Sequence, residues 1–90
     1  MSLLWTERGW SDYLFWQVND PKMLSRINEI ITDTRRSPFK GIGSPEPLRQ
    51  NLKGWWSRRI TQEHRLIYRV QGTGDAQVLE ISSCRFHYAD

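Results

Sequence analysis

Three side chains in this 90-residue sequence could do chemistry together: the carboxylate of Glu46, the guanidinium of Arg65 and the imidazole of His87, with Arg59 and Tyr88 near them in the expected topology. A carboxylate can accept a proton and an imidazole can return one. A guanidinium stays charged and stabilises an anion without changing its own protonation. Such a set suits a substrate that brings its own nucleophile, and RNA does so through its 2′-hydroxyl. Cleavage then needs a base for the 2′-proton, cations for the pentacoordinate phosphorane and an acid for the leaving 5′-oxygen. It leaves a 2′,3′-cyclic phosphate and a 5′-hydroxyl and uses no metal. Glu46 serves as base if desolvation raises its pKa from roughly 4.3. Histidine, near roughly 6.5, is the usual acid. By residue type alone the plainer readings keep the better claim: Glu46 as a surface glutamate in a structural loop, and His87-Tyr88 as ordinary packing or a frayed end. Other chemistries find less support. The two histidines and the single cysteine show no ligand spacing, so no metal site is expected. No glycine-rich nucleotide loop and no Ser or Cys nucleophile motif occurs, so no cofactor is expected either.

The element that must carry Arg59 and Arg65 is the stretch Gly54–Gln71, which reads as two strands joined by a tight turn near Thr61–His64. Apolar and aromatic residues alternate there with Arg58, Arg59, Arg65 and Arg69. Strand side chains alternate faces, so Leu66, Tyr68 and Val70 share one face and Arg65, Ile67 and Arg69 the other. The first face can be buried; the second cannot be without partners. Fixed arginines on a sheet match phosphate oxygens in a bidentate way. A solvated outer face explains the same pattern equally well.

Charge is distributed unevenly. Residues 35–69 hold nine basic residues against two acidic ones, a net of +7, whereas residues 1–34 and 70–90 each carry −2 and the chain totals +3. A central basic block suggests a polyanionic partner, nucleic acid first and an acidic protein segment next. The composition, 38% hydrophobic and 26% charged, is that of a globular chain, and the length fits a single domain spanning residues 1–90. The lone Cys84 can form no intrachain disulfide. The N-terminus has no basic and apolar leader pattern, and no segment is long and apolar enough to span a bilayer, so a cytoplasmic location with no membrane partner is expected.

The remaining elements frame this hairpin. Ser2–Trp5 reads as an edge strand. Thr6 caps a helix over about Glu7–Asn19 whose first turn Gly9 weakens. Asp20-Pro21 starts a second helix to Arg36, with Met23, Leu24, Ile27, Ile30, Ile31 and Thr34 along one face. Residues 37–47 form a stiff proline- and glycine-rich loop holding Glu46 between two prolines, with a brief helical turn over 47–52. After the turn Gly72–Asp75, Ala76–Cys84 is the last strand. The fold class is α+β, ordered β-α-α-β-β-β, with a mainly antiparallel sheet and a helical hairpin on one face.

Several runs resemble one family closely. They are Asn28-Glu29, Asp33-Thr34-Arg35-Arg36, Pro38-Phe39, Pro45-Glu46-Pro47-Leu48, Trp56-Ser57-Arg58-Arg59-Ile60-Thr61, Glu63-His64-Arg65-Leu66 and Cys84-Arg85-Phe86-His87-Tyr88. Together they resemble the YoeB/Txe toxins of bacterial toxin–antitoxin modules, within the RelE-like superfamily, over nearly the whole chain. The resemblance implies an endoribonuclease that cuts messenger RNA in the A site of the translating ribosome. It implies Glu46 as general base, His87 as general acid and Arg65 as phosphate clamp, with Arg59 and Tyr88 binding or orienting RNA. The family often has lysine where Arg49 stands; Arg49, expected to bind substrate, keeps that charge but changes its shape. Family members commonly end at the His-Tyr pair; here Ala89-Asp90 follow. The resemblance also implies a cognate antitoxin of the YefM/Phd type whose acidic tail folds onto the toxin, and leaves a homodimer open. The competing reading is a non-catalytic toxin of the same fold that binds a protein such as DNA gyrase and has no need of Glu46, Arg65 and His87. A third reading is an inactive copy that only sequesters antitoxin.

Overall fold

Both helices begin at residues whose side chains can cap them. In the computed structural model, which describes residues 1–87, Thr6 Oγ1 accepts from Gly9 N at 2.9 Å and opens helix α1 (Glu7–Asn19). The same hydroxyl donates to Ser82 O at 2.8 Å, which ties the start of the helix to the sheet. Asp20 accepts from Met23 N at 3.2 Å and opens α2 (Pro21–Arg36), with Pro21 at the first helical position, where its missing donor is not needed. Arg35 and Arg36 sit in the last turn of α2, where the helix dipole favours cations.

Among the described residues the sheet has five strands: β1 (Ser2–Trp5), β2 (Glu46–Pro47), β3 (Trp56–Arg59), β4 (Arg65–Gln71) and β5 (Val78–Ser83). Their order is β1-β5-β4-β3-β2, with β1 parallel to β5 and every other pair antiparallel. This is the expected α+β arrangement of a helical pair on a mainly antiparallel sheet, with one strand more than the sequence suggested. Glu46 and Pro47 pair with Ser57 and Trp56 at the sheet edge. Proline is tolerated there because an edge strand does not need every N–H. Two residues carry no periodicity, which is why the segment reads as plain loop. The 3₁₀ turn at Gln50–Leu52 matches the brief turn expected. The last strand is shorter than expected, because Gly74–Ala76 form a second 3₁₀ turn.

Register separates the two faces. Trp56 lies opposite Tyr68, Arg58 opposite Leu66, and Tyr68 opposite Ile81. Leu66, Tyr68, Leu79 and Ile81 are fully buried, and they form the core with Trp16, Ile27, Ile30, Ile31, Ile60 and Cys84. Val70 packs against its edge. Helix α1 approaches β5 so closely that a Cβ on Gly9 would lie 2.5 Å from Ile81 O. Gly9, read from sequence as a weak point of the helix, is therefore the residue that permits the contact. Glu46, Ser57, Arg59, Arg65 and Ile67 share the opposite face. That face is not bare, since Ile67, between Arg65 and Arg69, is buried.

Arg58 corrects the sequence reading. It counts toward the basic block, yet its side chain points into the helix side of the sheet and is fully buried. Nε donates to Tyr68 Oη at 3.2 Å, Nη1 to Asp33 Oδ2 at 2.7 Å and Ile42 O at 3.1 Å, and Nη2 to Ser37 O and to Lys40 O at 3.0 Å. Those five contacts match the five N–H donors of a guanidinium. Asp33 Oδ2 also accepts from Ile42 N at 3.0 Å, and Tyr68 Oη donates to Pro38 O at 2.6 Å. The loop leading to Glu46 is thus tied to α2 and to the core. Gly41 is required here, because a Cβ would lie 2.1 Å from Asp33 Oδ2 and its φ is +126°. Among the described residues, no helix is long and apolar enough to cross a membrane.

Candidate functional site

Antiparallel pairing sets the floor of the site. Arg59 and Arg65 are directly opposite each other on β3 and β4. Like charges in that position oppose each other. Arg65 is held by its turn: Nη1 donates to Thr61 O at 2.7 Å and to Gln62 O and His64 O at 3.1 Å each. Arg59 is exposed and, among the described residues, makes no side-chain hydrogen bond or ion pair. Its backbone N donates to Gly43 O at 2.7 Å, which fixes the loop beside it.

One wall is β2. Glu46 lies opposite Ser57, on the same face as the two arginines, and is exposed. Just before it, Ser44 has φ +50°, a left-handed conformation that the Arg58-anchored loop holds in place. The other wall is the segment after β5. Cys84 N donates to Asp12 Oδ2 at 3.1 Å, and Cys84 O accepts from Trp16 Nε1 at 2.9 Å. The Arg85 guanidinium stacks 3.5 Å over the Phe15 ring. Phe86 N donates to His64 Nδ1 at 2.7 Å, and Phe86 O accepts from Arg65 N at 3.1 Å. His87 Nε2 lies 3.2 Å from Gln62 O.

Two depressions meet on this floor. An open one of about 520 Å³ is lined by Arg59, Thr61, Gln62, Arg65 and His87. A narrow one of about 70 Å³ is lined by Gly43, Ser44, Glu46, Ser57, Arg59 and Arg65. They share Arg59 and Arg65, with Glu46 lining the narrow one and His87 the open one. Four of the residues singled out from sequence are therefore brought together. Arg49, at the start of the 3₁₀ turn beyond β2, lines neither depression. Tyr88 lies outside the described residues.

The arrangement can bind an anion and move protons at two ends of it. Cys84 supplies no nucleophile, because burial, with a smaller contribution from Asp12, pushes its thiol up to about 12. Among the described residues, no three His, Cys, Asp or Glu side chains gather where a metal ion could be held. Sequence reasoning missed the supports. Asp33 is held below the usual carboxylate range, chiefly by the Arg58 hydrogen bond and then by the Ile42 N–H. Burial raises the Tyr68 phenol, against the opposing effect of Arg58. The available signal was the pair Arg58-Arg59 on a strand, since adjacent strand residues must face opposite ways.

Comparison with known proteins gives the family. Residues 5–88 match the model of the YoeB-like toxin of bacterial type II toxin–antitoxin systems. The toxin YoeB of Escherichia coli O6:H1 is 58% identical over 88 residues, covering 98% of this chain and all of the relative. A YoeB/ParE toxin from Agrobacterium tumefaciens superposes with a TM-score of 0.95 at 53% identity, over 98% of this chain and all of the other. Single YoeB chains from the structures of the Staphylococcus aureus YoeB dimer and heterotetrameric YoeB–YefM complex superpose with TM-scores of 0.83 and 0.85, each at 40% identity and 98% coverage of both chains. The chain belongs to the YoeB-like toxins of bacterial type II toxin–antitoxin systems.

Proposed function

We propose that this toxin is a metal-independent endoribonuclease that cuts messenger RNA in the ribosomal A site and so stops translation. The observation that carries the reading is the pair of adjoining depressions that share Arg59 and Arg65, one lined by Glu46 and the other by His87. Glu46 takes the proton of the 2′-hydroxyl as that oxygen attacks the adjacent phosphorus. Arg65, with Arg59, stabilises the dianionic phosphorane, and an anion between them also relieves their mutual repulsion. The bond from phosphorus to the 5′-oxygen breaks, and His87 gives that oxygen its proton. The His87 contact with the Gln62 carbonyl holds the ring beside the floor until RNA displaces it. Glu46 is exposed in the isolated chain. Water must therefore be displaced from it by the RNA and its surroundings, which fits a reaction confined to the ribosome. Tyr88 and Arg49 are assigned to RNA binding, Arg49 through its charge at longer range.

The partners follow the same chemistry. We assign a YefM/Phd-type antitoxin whose acidic segment competes with RNA for Arg59 and Arg65, and a homodimer as the toxin's own assembly. The Staphylococcus aureus complex and dimer support these assignments. The chain acts as one domain, in the cytoplasm where its substrate is.

Single-turnover cleavage of message on programmed ribosomes tests the reading. Glu46→Ala, Arg65→Ala and His87→Ala should each slow cleavage by about 10²–10⁴-fold with thermal melting preserved. Wild-type rates in all three variants would overturn it. Intact messages together with inhibited DNA gyrase would establish the non-catalytic alternative.

A further inference from the structure

The residue before His87 is held in an unusual way. Phe86 has φ +67°, a left-handed conformation that a bulky L-residue keeps only where its surroundings over-determine it. Both of its backbone groups are engaged: N–H to His64 Nδ1 at 2.7 Å, and C=O to Arg65 N at 3.1 Å. A backbone N–H can only donate. Nδ1 of His64 therefore carries no proton, and the ring's proton is on Nε2. The His64 ring is itself fixed. It meets Trp16 edge-on with centroids 4.9 Å apart and lies 5.7 Å from the Phe86 ring. The Trp16 indole in turn is bonded to Cys84 O at 2.9 Å.

We propose that His64 is a positioning residue for the general acid: by accepting the Phe86 N–H, its Nδ1 sets the backbone turn that delivers His87 to the Arg59–Arg65 floor. The inference rests on the reading of His87 as that acid. The β3–β4 turn then places both charged partners of the leaving group. Its carbonyls hold the Arg65 guanidinium, and its imidazole holds the backbone that carries His87. Without the Nδ1 acceptor, Phe86 relaxes from its left-handed conformation and His87 leaves its place beside Gln62. A shift of about 1 Å in a reacting group is enough to cost about 10²-fold in rate.

Two variants and one altered substrate test this. His64→Phe keeps the ring contacts and removes the acceptor; His64→Asn keeps an acceptor at the Nδ1 position and removes the ring. Each is assayed on programmed ribosomes against an ordinary message and against one with sulfur replacing the 5′-bridging oxygen, whose thiolate leaves without a proton. His64→Phe should slow the ordinary substrate by about 100-fold and the sulfur substrate hardly at all, and His64→Asn should recover most of the ordinary rate. An equal defect on both substrates makes His64 a mere packing residue and overturns the proposal. A wild-type rate for His64→Phe, with His87→Ala inactive, overturns it while leaving the catalytic reading intact. Full activity of His87→Ala removes the catalytic reading and this proposal with it. Independently of any variant, nitrogen NMR of the wild-type protein should find Nδ1 of His64 unprotonated and the Phe86 amide protected from exchange; a protonated Nδ1 overturns the proposal.

Discussion

Replacing Arg58 with methionine keeps the length of the side chain and removes the guanidinium donors that tie the loop before Glu46 to the core, leaving the Tyr68 Oη–Pro38 O and Arg59 N–Gly43 O bonds. The guanidinium is fully buried and serves Ser37 O, Lys40 O, Ile42 O and Tyr68 Oη, besides the Asp33 carboxylate. A hydrogen bond to a charged group contributes about 1.5–3 kcal/mol, and a carbonyl left buried without a donor costs about 1–3 kcal/mol. These do not add in full, because the loop can loosen and let some carbonyls reach water. Asp33 is left out of the sum, since its partly open carboxylate can take water instead. The expected loss is about 3–5 kcal/mol, comparable to removing one member of a buried charged pair. For a chain of this size that lowers Tm by on the order of 15–30 °C. Thermal melting followed by near-ultraviolet circular dichroism measures it, together with amide exchange at Ile42 and Arg59, whose N–H groups bond to Asp33 and Gly43. In the Arg58→Met background Asp33→Leu should cost less than it does alone, because the ion pair it breaks is already gone. A fall in Tm below about 5 °C for Arg58→Met, or an additive double variant, would refute the account of Arg58 as the anchor of the Glu46 loop.

Gly9→Ala should destabilise the fold by about 1–3 kcal/mol in urea titrations, despite a helix-propensity gain of about 1 kcal/mol, because the new Cβ meets Ile81 O at 2.5 Å. The Asp33 carboxyl, held low by Arg58 and Ile42, should give the protein an acid limb. A lowered folded pKa favours the folded state above the unfolded value of about 3.9 and withdraws that stability as pH falls through the folded value. Melting between neutral pH and pH 2 should therefore show a steep loss below about pH 4, and Asp33→Asn should flatten it.

The helices were legible in the sequence because their signals are local. Thr6, and Asp20 with Pro21, sit at the first turns they cap, and the apolar stripe of α2 needs only its own spacing. The faces of β4 followed from alternation in the same way. What could not be read were properties set by distant partners. An arginine on a strand looks the same whether its face meets water or a helix; Arg58 is distinguished by Asp33, 25 positions away. Gly9 reads as a defect until Ile81 is known to lie against it. Two residues at Glu46–Pro47 become a strand only because β3 offers them an edge.

That division has a consequence for how the candidate site comes into being. Arg65 is held by its own turn, but the two flanking parts are fixed by contacts between separated segments: Glu46 by pairing with Ser57 and by the Arg58–Asp33 anchor, and His87 by the His64–Phe86 bond across 22 positions. None of these contacts persists alone, since the entropy of closing each loop is offset only when the shared core forms. Glu46 and His87 therefore come beside the shared Arg59 and Arg65 only in the folded chain. The unfolded toxin holds the same residues with no common place to act. On the proposed function, cleavage should disappear in the same transition as tertiary structure, with no partly folded state that retains it.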